Sequence, residues 1–423
     1  MIYENLPFRF VSILNTLAAY NFVDYVLTPY REQNMLGAPF MFVMIFVSTR
    51  LFIKKLMAPL NMGFPIADQS DEVIQAEVGL FLSVWYSLCR LYKYVMQYNN
   101  IKYLLSLSRN VSRFTGFVCS TYVPYYIRYP FYGSFAKFYG INMEEVEISD
   151  FGHYTTFTKF FTRHLKEGVR QVSEPKNGKS MCSPCDGRVL SYGVVDSENS
   201  TIDCVKGRSY KLSEFMLGNE GSKLEDNEKW SVQAMVDKVK ARGNQLLYMV
   251  IYLSPADYHC FHSPAIHTAD YRRHVAGYLS PVKPSYVNKH KDTFKNNERV
   301  NIFGRWEQGF YFESAVGATN VGSVKLDFDT EVLTNKPVPQ FPYFEDKNYV
   351  STDSNPFKEY INAQSFDNVS ADKNAKQFVK SEMTGRFEMG STIVLVFEAD
   401  QDTKLLVHEG KKLWLGQSIV SHP

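Results

Sequence analysis

Apolar residues are distributed along this 423-residue chain in two different ways. From about Lys176 onward they come in short runs broken by Gly, Pro, Asp and Asn: "GRVLSYGVV", "QLLYMVIYL", "RVNIFGRW", "GFYFESAVGA", "VGSVKLDF", "TIVLVFEA" and "KKLWLGQSI". Runs of this length, bounded by turn formers, predict strands, and their number predicts a mainly antiparallel sheet system. Ahead of them the pattern is helical. In "FGHYTTFTKFFTRHLKEG" the positions Phe157, Phe160, Phe161 and Leu165 fall on one helical face, with Gly168 as the stop. Two polar inserts rich in Asn, Asp, Ser and Lys, Gly218 to Lys229 and Phe344 to Lys380, read as surface loops. The expectation is an α+β fold: a helical, membrane-associated N-terminal region ahead of a mainly antiparallel β core.

The first hundred residues carry two candidate membrane spans, 35–53 and 78–98. The first holds an uncharged run from Met35 to Thr49, followed by Arg50, Lys54 and Lys55, and is at the short end for a spanning helix. The second carries Arg90 and Lys93 and is more amphipathic, so each also reads as a buried or surface-lying helix. The extreme N-terminus, with Arg9 and Arg31 against Glu4, Asp24 and Glu32, lacks the Arg-rich, acid-poor character of a mitochondrial presequence. From Ile101 to Met143 no acidic residue occurs, while Lys102, Arg109, Arg113, Arg128 and Lys137 are spread among many rings. Rings and cations together suit a leaflet of anionic lipid; an aromatic layer packed on the protein is the competing reading.

Composition narrows the classes. A net charge of +2 without a basic stripe gives no reason to expect a nucleic-acid binder. Aromatics reach 15%, with 28 Tyr and 32 Phe, which again favours a membrane interface. Cys89, Cys119, Cys182, Cys185, Cys204 and Cys260 are too sparse for a secreted disulfide framework, so a reduced setting is expected.

Three places could carry chemistry. Cys182-Ser-Pro-Cys185 has redox and half-zinc spacing, but no second pair completes a metal site, and no metal is expected. Next to it Asp186-Gly187 is either a turn ahead of a strand or a carboxylate held at a strand entrance, able to orient an imidazole. In "YLSPADYHCFHSPA" the histidines His259 and His262 read as metal ligands, a structural pair, or a base and an acid. Asp186, a histidine and Ser391 would make an Asp, His, Ser set in chain order, yet Ser391 lies in no G-x-S-x-G elbow. It sits instead in Gly390-Ser391-Thr392, at the threshold of the strongest strand run in the chain.

In order, the blocks "SPCDGRVL", "SPADYHCFHSP", "NERV" (Asn297 to Val300), "AVGATNVGSV" (Ala315 to Val324) and Met389-Gly390-Ser391-Thr392 resemble the phosphatidylserine decarboxylase family, of the mitochondrial type, from about Tyr103 to the C-terminus. Met389 stands where that family's cleavage signature has Leu. The resemblance implies a proenzyme that cuts itself between Gly390 and Ser391, with Asp186, His262 and Ser391 as the self-cleavage triad. It also implies conversion of Ser391 to a pyruvoyl group, with no metal and no pyridoxal phosphate. Oγ attacks the Gly390 carbonyl, the peptide becomes an ester, elimination leaves dehydroalanine, and hydrolysis releases ammonia. The new ketone then condenses with the amine of phosphatidylserine, carbon dioxide leaves, and phosphatidylethanolamine is released. His259 is the expected acid or base of decarboxylation.

The implied domains are 1–100 as a targeting and membrane-anchor region, 101–390 as the β chain, and 391–423 as the α chain of the same catalytic domain. Expected partners are phosphatidylserine in a membrane and the two fragments of one precursor; a homo-oligomer stays open. The implied location is the mitochondrial inner membrane with the catalytic domain facing the intermembrane space, although Arg50, Lys54 and Lys55 favour the opposite orientation of the first span. Two rivals remain at this stage: a membrane-bound serine hydrolase using the same three residues, and a lipid-binding protein that does not mature.

Overall fold

A computed structural model describes residues 101–421, apart from 175–178, 196–199, 206–207, 219–230, 283, 288–289, 291, 320–322, 337–342 and 351–374. Both candidate spans, 35–53 and 78–98, lie outside the described residues. Among the described residues no helix is long and apolar enough to cross a membrane. The chain divides into two compact units: one includes Tyr122–Phe138 and Phe151–Thr155, the other Leu105–Thr121, Tyr139–Asp150 and everything from Thr156 on.

The larger unit is built on a nine-stranded, wholly antiparallel sheet. Its strands and those of the smaller sheets are, in chain order, β1 (Gly187–Val194), β2 (Thr201–Val205), β3 (Arg208–Lys211), β4 (Asn244–Leu253), β5 (Cys260–His262), β6 (His267–Ala276), β7 (Arg299–Trp306), β8 (Gly309–Val316), β9 (Val324–Leu326), β10 (Tyr343–Asn348), β11 (Lys376–Phe378), β12 (Met383–Phe387), β13 (Ser391–Asp400), β14 (Lys404–Leu405), β15 (Lys412–Leu413) and β16 (Val420–Ser421). The large sheet runs β10-β6-β7-β8-β13-β4-β1-β15, with β11 also on β6; β5, β12 and β9 form a second, small sheet.

β13 is central, paired along its full length with β4, from Ser391↔Leu253 to Asp400↔Asn244, and with β8 from Thr392↔Val316 to Phe397↔Tyr311. Its run Ile393 to Phe397 is apolar without alternation because both faces of the sheet are covered. Val394 and Val396 pack with Leu246, Tyr248 and Val250 beneath two helices, Leu212–Leu217 and Val232–Ala241. Ile393, Leu395 and Phe397 pack with Leu247, Met249 and Ile251 beneath Phe261, Leu326 and Phe387 of the small sheet. The helix Val232–Ala241 owes its place to apolar residues at i, i+3, i+4 and i+7 (Val232, Met235, Val236, Val239) and to Ser231, whose side chain caps Ala234 N–H at 3.1 Å.

Two expectations need correction, and one strand was not foreseen. The helix starting at Phe157 spans only Phe157–Phe161, capped by Thr156 and Thr162. Leu165 instead joins a β-bridge with Val146, because the Glu145 and Glu147 backbones take up Lys166 N–H and His164 O. The polar stretch Phe344 to Lys380 is not all loop: β10 lies at its start and β11 near its end, both paired to β6. And β6 itself, "HTADYRRHVA", is buried at every position although its sequence is polar. Its polar groups are paired: Asp270 with Arg305 (2.6 Å), Arg272 with Asp329 (3.1 Å), Arg273 with Asp346 (2.7 Å) and His274 with Glu298 (2.9 Å).

In the smaller unit the helix Tyr125–Tyr139, which ends just outside it, turns Phe131, Tyr132 and Phe135 inward while Tyr122, Tyr125, Tyr126, Tyr129 and Phe138 stay exposed. Arg128 is buried and donates to Val123 O (2.8 Å) and Gly152 O (2.5 Å), so one cation of the acid-free stretch serves the fold. The larger unit exposes Phe114 and Phe117 on its part of the helix Ile101–Ser120.

Candidate active site

The register Ser391↔Leu253 sets Ser391 against the last residue of β4, and the chain continues from there through Ser254 to His259 and into β5. Three contacts stiffen this loop. The Asp257 carboxylate accepts from Ser254 N–H and Oγ–H, both at 2.8 Å, and also pairs with Lys412 Nζ. The Arg163 guanidinium donates to Ala256 O at 2.9 Å. His259 Nδ1–H donates to Asp257 O at 2.8 Å. Because a carbonyl only accepts, Nδ1 must carry the proton, and Nε2 keeps its lone pair.

That Nε2 is buried without a hydrogen-bond partner. The place a β-carbon would occupy on Gly390 lies 3.7 Å from it and 3.9 Å from Leu253 O. His259 is wholly buried, with the Phe161 ring tilted against it at 4.1 Å between ring centroids, and burial lowers its pKa from 6.5 to about 4. At neutral pH it is therefore a proton acceptor aimed at the Gly390–Ser391 step. Beside Ser391, Thr392 Oγ1 is a second buried polar atom without a partner.

His262, at the end of β5, is engaged on both nitrogens: Nδ1–H donates to Ser381 O at 2.8 Å, and Nε2 accepts from Tyr258 O–H at 3.1 Å. Burial lowers its pKa, and the nearby Asp186 charge works against that. Its backbone N–H donates to Pro184 O, two residues before Asp186, at 2.8 Å.

Asp186 is buried at the entrance of β1, the position expected for it. Gly187 makes that position available, since a β-carbon there would meet Ile251 Cγ2 at 2.5 Å and Tyr252 O at 2.8 Å. The carboxylate accepts from Arg170 Nη2 (2.7 Å) and Nε (3.0 Å) and from Leu415 N–H (2.8 Å). Arg170 in turn pairs with Glu145 at 2.8 Å and lies over the Trp414 ring at 4.5 Å. The structure therefore brings His259 to Gly390, and holds Asp186 and His262 in neighbouring loops, each bonded to other partners.

Arg170, Arg163 and Lys412 escape sequence reasoning because their partners are distant in the chain, whereas for Tyr258 the i, i+4 spacing to His262 is a local signal that sequence reasoning passed over. Cys182 and Cys185 are buried free thiols, Cys182 Sγ–H donates to Pro264 O at 3.2 Å, and burial raises the Cys182 pKa to about 12, far from the thiolate that redox or metal chemistry needs. "NERV" is scaffold: Asn297 Nδ2–H donates to Ser280 O (2.9 Å) and Gly317 O (3.0 Å), and Arg299, fully buried, donates to four backbone carbonyls.

Known proteins similar to this chain in sequence fall in one family. A sequence profile of the family described as "Phosphatidylserine decarboxylase" matches residues 157–421. "Phosphatidylserine decarboxylase proenzyme, mitochondrial" of Rattus norvegicus is 35% identical over 316 residues, 74% of this chain and 72% of the relative. The corresponding proenzyme 1 of Saccharomyces cerevisiae is 31% identical over 371 residues (73% and 71%), and that of Arabidopsis thaliana 32% over 345 (74% and 71%). The chain belongs to the phosphatidylserine decarboxylase family.

Proposed function

We propose that the chain is made as a precursor that cuts itself between Gly390 and Ser391 and then decarboxylates phosphatidylserine to phosphatidylethanolamine and carbon dioxide at a membrane surface. The observation that carries this reading is the unpartnered, buried His259 Nε2 beside Gly390, at the threshold of the central strand. A neutral imidazole there suits proton transfer at the scissile step. Gly390 has no side chain to obstruct attack by Ser391 Oγ on its carbonyl carbon.

The hydroxyl proton passes to a base, the Gly390–Ser391 peptide becomes an ester, and loss of the Ser391 α-proton expels the Gly390 carboxylate. In the first assignment Asp186, His262 and Ser391 carry the cut and His259 serves decarboxylation. His262 is the correct tautomer for a base, with Nε2 as acceptor, and to act on Ser391 it has to release the Tyr258 hydroxyl. The second assignment makes His259 the base for the cut as well, and the 3.7 Å approach to Gly390 favours it.

The pyruvoyl group formed from Ser391 supplies an electrophilic ketone that draws electrons from the substrate's α-carbon, chemistry that no ordinary side chain offers. The residues present fit such a group: a glycine-sided approach, an imidazole facing it, and a central strand to hold it. The 33-residue fragment 391–423 stays in the sheet as the α chain, with 101–390 as the β chain and 1–100 as the targeting and anchor region. The exposed rings from Phe114 to Phe138 suit contact with lipid. The relatives are named as mitochondrial, in line with an inner-membrane location and a catalytic domain in the intermembrane space.

Ser391→Ala tests the reading. Without the hydroxyl the protein is expected to remain one chain and to release no carbon dioxide from phosphatidylserine vesicles; a cut Ser391→Ala protein would sink it.

A further inference from the structure

A cavity of about 210 Å3 lies beside the scissile segment. One wall is the face of the helix Ile101–Ser120 from Arg113 to Ser120, where lining residues recur at i, i+3, i+4 and i+7; opposite stand Thr158, Asn335 and Glu388. At about 30 Å3 per water, the space is that of roughly seven waters, enough for a polar headgroup but not for a diacyl lipid. The cavity borders the chemistry on two sides. Glu388 precedes Gly390 by two residues, and Thr158 lies one helical turn before Phe161, the ring packed against His259.

Its polar groups are ordered by charge. Among the described residues the acceptors of Arg113 are Asn110 Oδ1 (3.2 Å) and the carbonyls of Asn335 (3.0 Å) and Lys336 (3.4 Å), all uncharged, so its guanidinium brings a net positive charge to the wall. Asn335 is 7% exposed, and its Oδ1 is buried with no hydrogen-bond partner. Glu388 brings a carboxylate whose Oε2 accepts from Ser323 Oγ–H at 2.7 Å. Phe117, on the cavity wall, and Phe114, one turn before it, are 72% and 67% exposed.

We propose that this cavity is the headgroup subsite of the decarboxylase, taking a phosphodiester-linked serine, with Arg113 on the phosphate and Glu388 on the ammonium. The assignment rests on the function proposed above and adds the residues that select the substrate. In phosphatidylserine the phosphate and the amine lie at opposite ends of the headgroup; the lining offers the Arg113 cation and the Glu388 carboxylate on different segments, and Glu388 is the one three residues from Ser391 in the chain. Acyl chains leave the mouth over Phe114 and Phe117 toward the bilayer. A guanidinium binds phosphate through charge-assisted N–H donors, so its loss weakens binding without touching the bond-making atoms.

The test is calorimetric titration of the mature protein and of Arg113→Gln, Arg113→Lys and Glu388→Gln with sn-glycero-3-phosphoserine and, separately, inorganic phosphate. It is joined to kinetics on phosphatidylserine in mixed micelles. Arg113→Gln is expected to raise Kd and KM by about tenfold or more with little change in kcat, and Arg113→Lys to recover part of the loss. Glu388→Gln is expected to weaken glycerophosphoserine and leave phosphate unaffected. The assignment is overturned if Arg113→Gln binds glycerophosphoserine as the parent does, or if phosphate binds as tightly as glycerophosphoserine, which would mark a plain anion site. Mass analysis of fragment 391–423 separates the two readings: a fragment without the pyruvoyl group defeats the decarboxylase reading, while the titrations judge the cavity alone.

Discussion

His259 and His262 are three residues apart and face different surroundings. Each donates Nδ1–H to a backbone carbonyl and keeps Nε2 as an acceptor, but His262 Nε2 meets the Tyr258 hydroxyl whereas His259 Nε2, beside Gly390, has no hydrogen-bond partner among the described residues. Spacing in the sequence puts both residues in one place and leaves their roles interchangeable. Only the fold, through the Leu253↔Ser391 register, decides which ring faces the bond. Single alanine variants scored separately for cutting and for decarboxylation divide the labour. If the triad assignment holds, His262→Ala stays one chain while His259→Ala is cut in part and decarboxylates poorly, with a loss on the order of 10² to 10⁴ in rate. If His259→Ala stays uncut while His262→Ala matures, the base for the cut is His259. Asp186 was legible as a carboxylate at a strand entrance because Asp-Gly marks that turn; its hold on Arg170 and Leu415 was not, since those partners come from elsewhere in the chain.

At the level of elements, the strands with strong apolar runs, β4, β7, β8 and β13, were legible because each is buried on both faces and needs no alternation. β6 was not, since its "HTADYRRHVA" is stabilised by partners on other elements rather than by apolar burial. The helix beginning at Phe157 was legible in its apolar face but not in its length, which a β-bridge ends. β13, the long strand of the proposed α chain, pairs on both sides with strands that precede Gly390, β4 and β8, and Glu398 anchors it. Its carboxylate is fully buried and accepts from Arg242 Nη2 (2.6 Å), Asn244 Nδ2 (2.7 Å) and Phe310 N–H (3.1 Å). Glu398→Ala removes the buried carboxylate to which Arg242 and Asn244 donate, and it is expected to cost about 3–5 kcal/mol in urea unfolding of the uncut Ser391→Ala protein. A loss below about 1 kcal/mol would mean that the pair does not anchor the strand.

For the whole molecule, buried titratable groups set how stability depends on pH. His259 and His267 are both held at about 4 by burial, below the usual 6.5, so the unfolded chain takes up protons that the folded one refuses. Their contribution is therefore lost as pH falls from about 6.5 to about 4, roughly 3 kcal/mol for each histidine. Glu313 acts in the opposite sense. Burial raises its pKa to about 7, so its contribution is lost as pH rises from about 4.5 to 7. Two histidines outweigh one glutamate, and the Tm of the Ser391→Ala protein is expected to fall on acidification through this window. His267→Phe, which suits the ring's place between Tyr311 and Phe378, is expected to flatten the slope; an unchanged slope would count against the buried neutral histidine.

By the function proposed above, one chain becomes two with its own serine as the reactive group, and the decisive measurement is the intact mass of the purified protein under denaturing conditions. The expected result is a fragment of 33 residues, Ser391 to Pro423, with its first residue converted to pyruvoyl, beside a partner ending at Gly390. A single uncut chain that decarboxylates phosphatidylserine, or a fragment that still begins with serine in active protein, would contradict it.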